Sequence, residues 1–112
     1  MTGGDSLLKI SDLQALCNDK NIAVTKHAKI RLTERGITIG DIQNAIRLGE
    51  IIRQYEDDKP FPSCLLLGQT AQNKYIHVVA SIDDEVLYII TAYYPDVNEW
   101  EADLKTRREP KP

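Results

Sequence analysis

Two cysteines, two histidines and six scattered glycines leave this 112-residue sequence short of the usual raw material for a small-protein site. Cys17 and Cys64 lack zinc-ligand spacing, and His27 and His77 have no Cys–His cluster around them, so no metal site is expected. The isolated glycines form neither a phosphate-binding loop nor a nucleophile elbow, and no cofactor is expected. No apolar run approaches the roughly 20 residues of a membrane span. The opening MTGGDSLLKI has neither a basic region nor a long apolar stretch, which excludes a signal peptide and makes cytoplasmic residence the expectation. There the two cysteines are expected to be reduced, buried thiols. Basic charge is also scarce: fourteen Lys and Arg against seventeen Asp and Glu give a net charge of -3. The resulting pI of about 5.3 argues against a protein that coats nucleic acid indiscriminately, while leaving room for a local basic site.

What the sequence does contain is a hydrophobic fraction of 42%, enough for one core. Without repeats, low-complexity segments or a long linker, residues 1–112 read as a single domain. After a loose lead-in, Ser11 and Gln14 form a capping-box pattern for a short helix ending near Asn18 to Asn21. Thr25 can cap a second helix that Gly36 ends. Thr38 with Asp41 opens a third, whose Ile39, Ile42, Ala45 and Ile46 share a face and which Gly49 closes. The period then changes to that of strands at Ile51–Tyr55, Cys64–Leu67, Tyr75–Ala80 and Val86–Tyr93, separated by turn-rich segments. The last strand is apolar on both faces, which suits a central position. Asp96 and Glu99 suggest a final helix with Val97, Trp100 and Leu104 on one face and Trp100 docking it to the sheet, before a tail that frays from Arg107. The expected architecture is α+β: N-terminal helices packed on a four-stranded antiparallel meander sheet, with a C-terminal helix.

The unusual segment is KHAKIRLTERG, where His27, Arg31 and Arg35 are spaced i, i+4, i+8. At about 100° per residue they fall within an arc of roughly 80°, flanked by Ala28, Leu32 and Ile30. An imidazole moves protons near neutrality, and guanidinium groups grip phosphate oxygens in pairs. On spacing alone, a solvated helix face with the arginines paired to Glu34 or nearby acids is the simpler reading. In the last strand, strict alternation groups Leu87, Ile89, Thr91 and Tyr93 on one face and Tyr88, Ile90, Ala92 and Tyr94 on the other. Thr91 and a tyrosine then end the strand with hydroxyls available to a site. His77 reads as a structural strand histidine facing away from Ile76 and Val78.

The phrases TKHAKIRLTERGI, DIQNAIRLGEII, CLLLG, YIHVV and IITAYYPDVNEW, in this order, resemble the bacterial family termed domain of unknown function 4258. That family is grouped with RelE-like toxins and the barnase-like ribonuclease fold, and the likeness runs from about 25 to 108. It implies a helix pair on a four-stranded antiparallel sheet and metal-independent RNA cleavage by ribose 2′-hydroxyl attack. By the same likeness His27 would be general base or acid, and Arg31 and Arg35 would stabilise charge on the phosphoryl oxygens. Thr91 and Tyr93 would orient the substrate, with Tyr94 a further candidate. The partners implied are RNA and an antitoxin-like protein. The chain departs from such toxins in being acidic rather than basic, which leaves a non-catalytic binding module of the same fold as the alternative. A third reading, a purely structural domain, requires His27 to be sealed in the core or tied to carboxylates.

Overall fold

The computed structural model describes residues 7–109. The lead-in expected at residues 1–6 and the proline-rich end at 110–112 lie outside them. Three helices come early: α1 (Ile10–Ala15), α2 (Lys26–Arg35) and α3 (Ile39–Leu48). The strands are β1 (Ile22–Val24), β2 (Glu50–Tyr55), β3 (Ser63–Gln69), β4 (Tyr75–Asp83) and β5 (Val86–Tyr93). They form one sheet in the order β1-β5-β4-β3-β2.

The helix ends follow local chemistry. Thr25 Oγ1 accepts the Ala28 N–H at 3.1 Å and starts α2. Gly36, at φ 69°, stops it in the left-handed conformation, and the Ile37 N–H turns back to the Leu32 carbonyl. Thr38 and Asp41 exchange side-chain and backbone hydrogen bonds, both at 3.0 Å, in a complete capping box for α3. Such a cap is worth about 1 kcal/mol. The Ser11–Gln14 box does not form: the helix starts after Lys9 with no side-chain cap and ends at Ala15. Gln14 instead donates to the Ile46 and Arg47 carbonyls, satisfying end groups that α3 leaves open.

α3 lies directly on β3, and two glycines permit the contact. A Cβ on Gly68 would collide with the backbone and side chain of Ala45, and one on Gly49 with the Ala45 and Leu67 carbonyls. Ile42, Ala45 and Ile46 thereby join Leu66, Ile76, Val78, Ala80, Leu87, Ile89 and Ala92 in the core. Cys17 and Cys64 are buried there as free thiols, and burial pushes Cys64 up to about 12.

The sheet departs from the expected four-stranded antiparallel meander in two ways. β1 adds a fifth strand, and it runs parallel to β5, pairing Ile22 with Leu87 and Val24 with Ile89. Three residues between a helix and a capping threonine are too few to show a period of two, so this strand exists through its partner. Because β1 covers β5 only as far as Ile89, the edge of β5 beyond it has no strand partner among the described residues. A bulge then breaks the alternation of β5: Ile89 opposes Ala80, Thr91 opposes Val79, and Ile90 is the extra residue. Thr91 and Tyr93 consequently lie on the face opposite Leu87 and Ile89, while Ala92 joins the core.

Among the described residues no C-terminal helix forms. Asp96 makes a single turn, accepting from Glu99 and Trp100 through its carbonyl and from Asn98 through its carboxylate. The chain then doubles back, with Trp100 bridged to Arg107. Asp103 takes the Lys105 and Thr106 N–H groups that a helix would send to backbone carbonyls, and Leu104 sits at φ 60°. Trp100 still docks on the sheet, from this hairpin-like loop. The segment read as a fraying tail is held as far as Arg108, whose N–H reaches the Glu99 carbonyl. Among the described residues, no helix is long and apolar enough to cross a membrane.

Candidate functional site

The helices cover one face of the sheet, and the registers define what stands on the other. Tyr55, Ser63, Ser81 and Tyr88 form one row across it. Arg53, Leu65, Val79 and Thr91 form the next, then Leu67, His77 and Tyr93. The C-terminal segment lies over the His77 end, and the loop before β3 brings Lys59, Pro60 and Phe61 beside Ser81 and Tyr88 at the other. Thr91 stands between them, half-buried.

Arg35 connects α2 to this face. Its Nη1 donates to Thr91 Oγ1 at 3.1 Å and to the Ala92 carbonyl at 2.8 Å, at the edge of β5 that β1 leaves bare. Both Nη1 protons are therefore engaged, and among the described residues the Nε and Nη2 donors have no partner. Tyr93, opposite His77 in the register, presents its hydroxyl 3.4 Å from His77 Nδ1. His77 Nε2 lies 2.8 Å from the Leu104 carbonyl, which can only accept. Nε2 thus carries the proton, and Nδ1 is left to receive the Tyr93 O–H. Burial holds the Tyr93 phenol above its ordinary range; Tyr55 and Glu99 add to the rise while Arg107 and Arg35 oppose it. Tyr93 is accordingly a hydrogen-bond donor at neutral pH.

From His77 a belt of ring and guanidinium contacts runs sideways across the open face. The Trp100 ring meets the imidazole edge to face at 4.5 Å, and the guanidinium groups of Arg53 and Arg107 lie 5.9 Å and 5.3 Å from the indole centre. Arg107 also pairs with Glu99 at 3.5 Å.

His77 is wholly buried, and burial lowers its pKa, partly offset by the hydrogen bond to Leu104. An unfolded histidine titrates near about 6.5. As pH falls below that value the unfolded chain takes up the proton first, so stability is lost progressively until the depressed folded pKa is passed. Urea unfolding between pH 8 and pH 5 should show this loss, and His77→Gln should flatten that part of the profile. A wild-type stability that rises across the same interval contradicts the assignment.

The five residues proposed from the sequence are not gathered into one cluster. Arg35, Thr91 and Tyr93 converge. His27 is exposed, and its side chain makes no hydrogen bond or ion pair among the described residues. Arg31 is exposed too, and among the described residues its only ion pair is with Glu34 at 3.9 Å, a contact worth little. The reason is helical drift: each i+4 step advances about 40°, so the stripe winds from solvent at His27 to the sheet at Arg35. It nonetheless follows β5, since Thr25 shares a groove with Tyr88 and Ile90 while Arg35 binds Ala92. Tyr94 is exposed, with the Lys74 ammonium 6.0 Å from its ring, and stands apart from the Arg35 group. Arg53 and Arg107 escaped the sequence reading; a lone arginine in the apolar run IIRQY was the available signal. Among the described residues no group of three His, Cys, Asp or Glu side chains could hold a metal ion.

An α+β domain with a basic stripe alongside a hydroxyl-bearing sheet face is the class that these features define. Residues 24–94, well over half of the chain, match the family described as domain of unknown function (DUF4258), and the chain belongs to that family. No curated protein and no solved structure matches it.

Proposed function

We propose that this protein is a metal-independent endoribonuclease of RelE-like type, working as the toxin of a toxin–antitoxin pair, with RNA bound along the α2–β5 edge. The observation that carries the reading is the Arg35–Thr91 hydrogen bond, which holds a guanidinium of the helix stripe at the strand whose open face also carries Tyr93. In the reaction, the ribose 2′-oxygen attacks the adjacent phosphorus and the bond from phosphorus to the 5′-oxygen breaks. A 2′,3′-cyclic phosphate and a 5′-hydroxyl result. The 2′-hydroxyl proton leaves to a base and another is delivered to the 5′-oxygen; His27, open to solvent in the first turn of α2, is the group on this edge able to exchange them. Arg31 and the free donors of Arg35 offset the charge that grows on the phosphoryl oxygens. Thr91 and Tyr93 orient the backbone.

A second reading, a binding module that holds RNA or a protein partner without turnover, is favoured by one specific observation: His27 makes no contact with the Arg35, Thr91 and Tyr93 group. Comparing wild type with His27→Ala separates the two. Ribonuclease action predicts a cleavage rate lower by roughly 10²-fold with RNA affinity unchanged. Equal cleavage by both forms, or binding without cleavage by wild type, removes the catalytic reading and leaves the module.

A further inference from the structure

The apolar groove at the far end of the same face has no part in the chemistry above. It encloses about 350 Å³ and is walled by Phe61, Tyr88, Ile90 and Pro60, with Thr25, Ser81 and Lys59 contributing polar groups. Phe61 is 37% exposed and Ile90 42% exposed, so large apolar surfaces stand open to solvent where a sheet face would ordinarily be covered. Ile90 is there because of the bulge: as the unpaired residue of β5 it escapes the core that takes Ile89 and Ala92.

We propose that this groove takes an unstacked nucleobase of single-stranded RNA whose phosphates lie on the α2 stripe. The inference rests on the RNA reading of that stripe and extends it to a base-binding subsite. Continuity supports it first. Thr25, one wall of the groove, is the residue that caps α2 two positions before His27, and Ile90 is followed directly by Thr91. A base in the groove therefore hangs from a backbone that His27, Arg31 and Arg35 can reach. The lining chemistry supports it next. Two aromatic rings offer stacking surfaces that any base can use. The polar groups suit a base edge: Ser81 Oγ spends its proton on the Pro62 carbonyl at 2.6 Å and keeps its lone pairs. Thr25 Oγ1 accepts from Ala28 and keeps a proton to donate. Charge supports it as well. Lys59 makes no ion pair among the described residues, and Lys26, Lys29, Arg31 and Arg35 make α2 basic with no acid in its first turn. The loop before Lys59 carries Glu56, Asp57 and Asp58, the last accepting the Ser63 hydroxyl, so the charge that favours RNA is that of α2.

The test uses the full chain and a short single-stranded oligonucleotide that cannot be cleaved because every ribose is 2′-O-methylated. It is compared with the same oligonucleotide bearing single abasic positions in turn. Binding is read by fluorescence anisotropy for wild type, Phe61→Ala and Arg35→Ala. For wild type, one abasic position should weaken binding by roughly 5- to 100-fold, the effect of losing one stacked base. Phe61→Ala should weaken the complete oligonucleotide similarly and erase its advantage over the abasic one. Tyr88→Leu is the second variant, and thermal unfolding confirms that each protein is folded. Equal losses on both oligonucleotides, or no loss, overturn the base subsite. The RNA reading survives that result if Arg35→Ala still weakens binding. Absence of wild-type binding overturns both. An amphipathic peptide that binds in the groove and is not displaced by RNA also overturns the subsite, assigning it to a protein partner.

Discussion

Under the proposed ribonuclease function, Arg35→Ala is expected to lower RNA cleavage by roughly 10²- to 10³-fold, the loss typical of removing one preorganised donor to an oxyanion. The expectation follows from how the side chain is held. Two hydrogen bonds from Nη1 immobilise the guanidinium against Thr91 and Ala92, so its remaining donors need no reorganisation when phosphoryl charge develops. Folding should suffer little, because Arg35 is exposed and an exposed contact of this kind is worth about 1 kcal/mol or less. Arg35→Lys should not restore activity: an ammonium lacks the planar fork needed to hold the strand edge and a phosphate together. Steady-state cleavage of a defined oligonucleotide, with urea unfolding alongside, checks both halves. A variant that cleaves normally, or one whose rate loss tracks lost stability, contradicts this role.

Trp100→Ala should produce the largest stability loss, about 3–5 kcal/mol. Trp100 is 3% exposed, seals one side of His77 and carries two guanidinium groups on its ring. Its removal opens a cavity over a buried imidazole and frees the loop that supplies the Leu104 carbonyl. For a domain near 100 residues each kcal/mol moves Tm by about 4–8 °C, so a fall exceeding about 10 °C is expected. Trp100→Phe keeps much of the buried area and should recover part of it. The acid sensitivity assigned to His77 should also shrink in Trp100→Ala, since hydration relieves the burial that lowers its pKa. A small Tm change would mean that the C-terminal segment contributes little to the fold.

Much of this architecture is written in local chemistry. Thr25, Gly36, Thr38, Asp41 and Gly49 mark the ends of α2 and α3 because caps act over three or four residues. Four of the strands show their own hydrophobic runs. What escaped the sequence depended on distant partners. β1 is three residues long and is a strand because β5 lies beside it. The Asp96 turn stops after one turn because Asp103 captures N–H groups further along and Leu104 must serve His77. The candidate site was legible in part for the same reason. The His–Arg stripe is a local pattern, and Thr91 with Tyr93 was readable as a strand-end pair. Strict alternation put that pair on the same face as Ile89; the bulge at Ile90 places it on the opposite, open face. Arg53 and Trp100 join the belt only through register and a chain reversal.

The proposed function places RNA on the α2–β5 edge and the open sheet face beside it. Amide and side-chain NMR shifts during titration with a non-cleavable single-stranded RNA test this most directly. The prediction is that perturbations concentrate at His27, Arg31, Arg35, Thr91 and Tyr93 and fade with added salt, as phosphate contacts require. Perturbations confined to α1 and α3, or no saturable change at all, would contradict it.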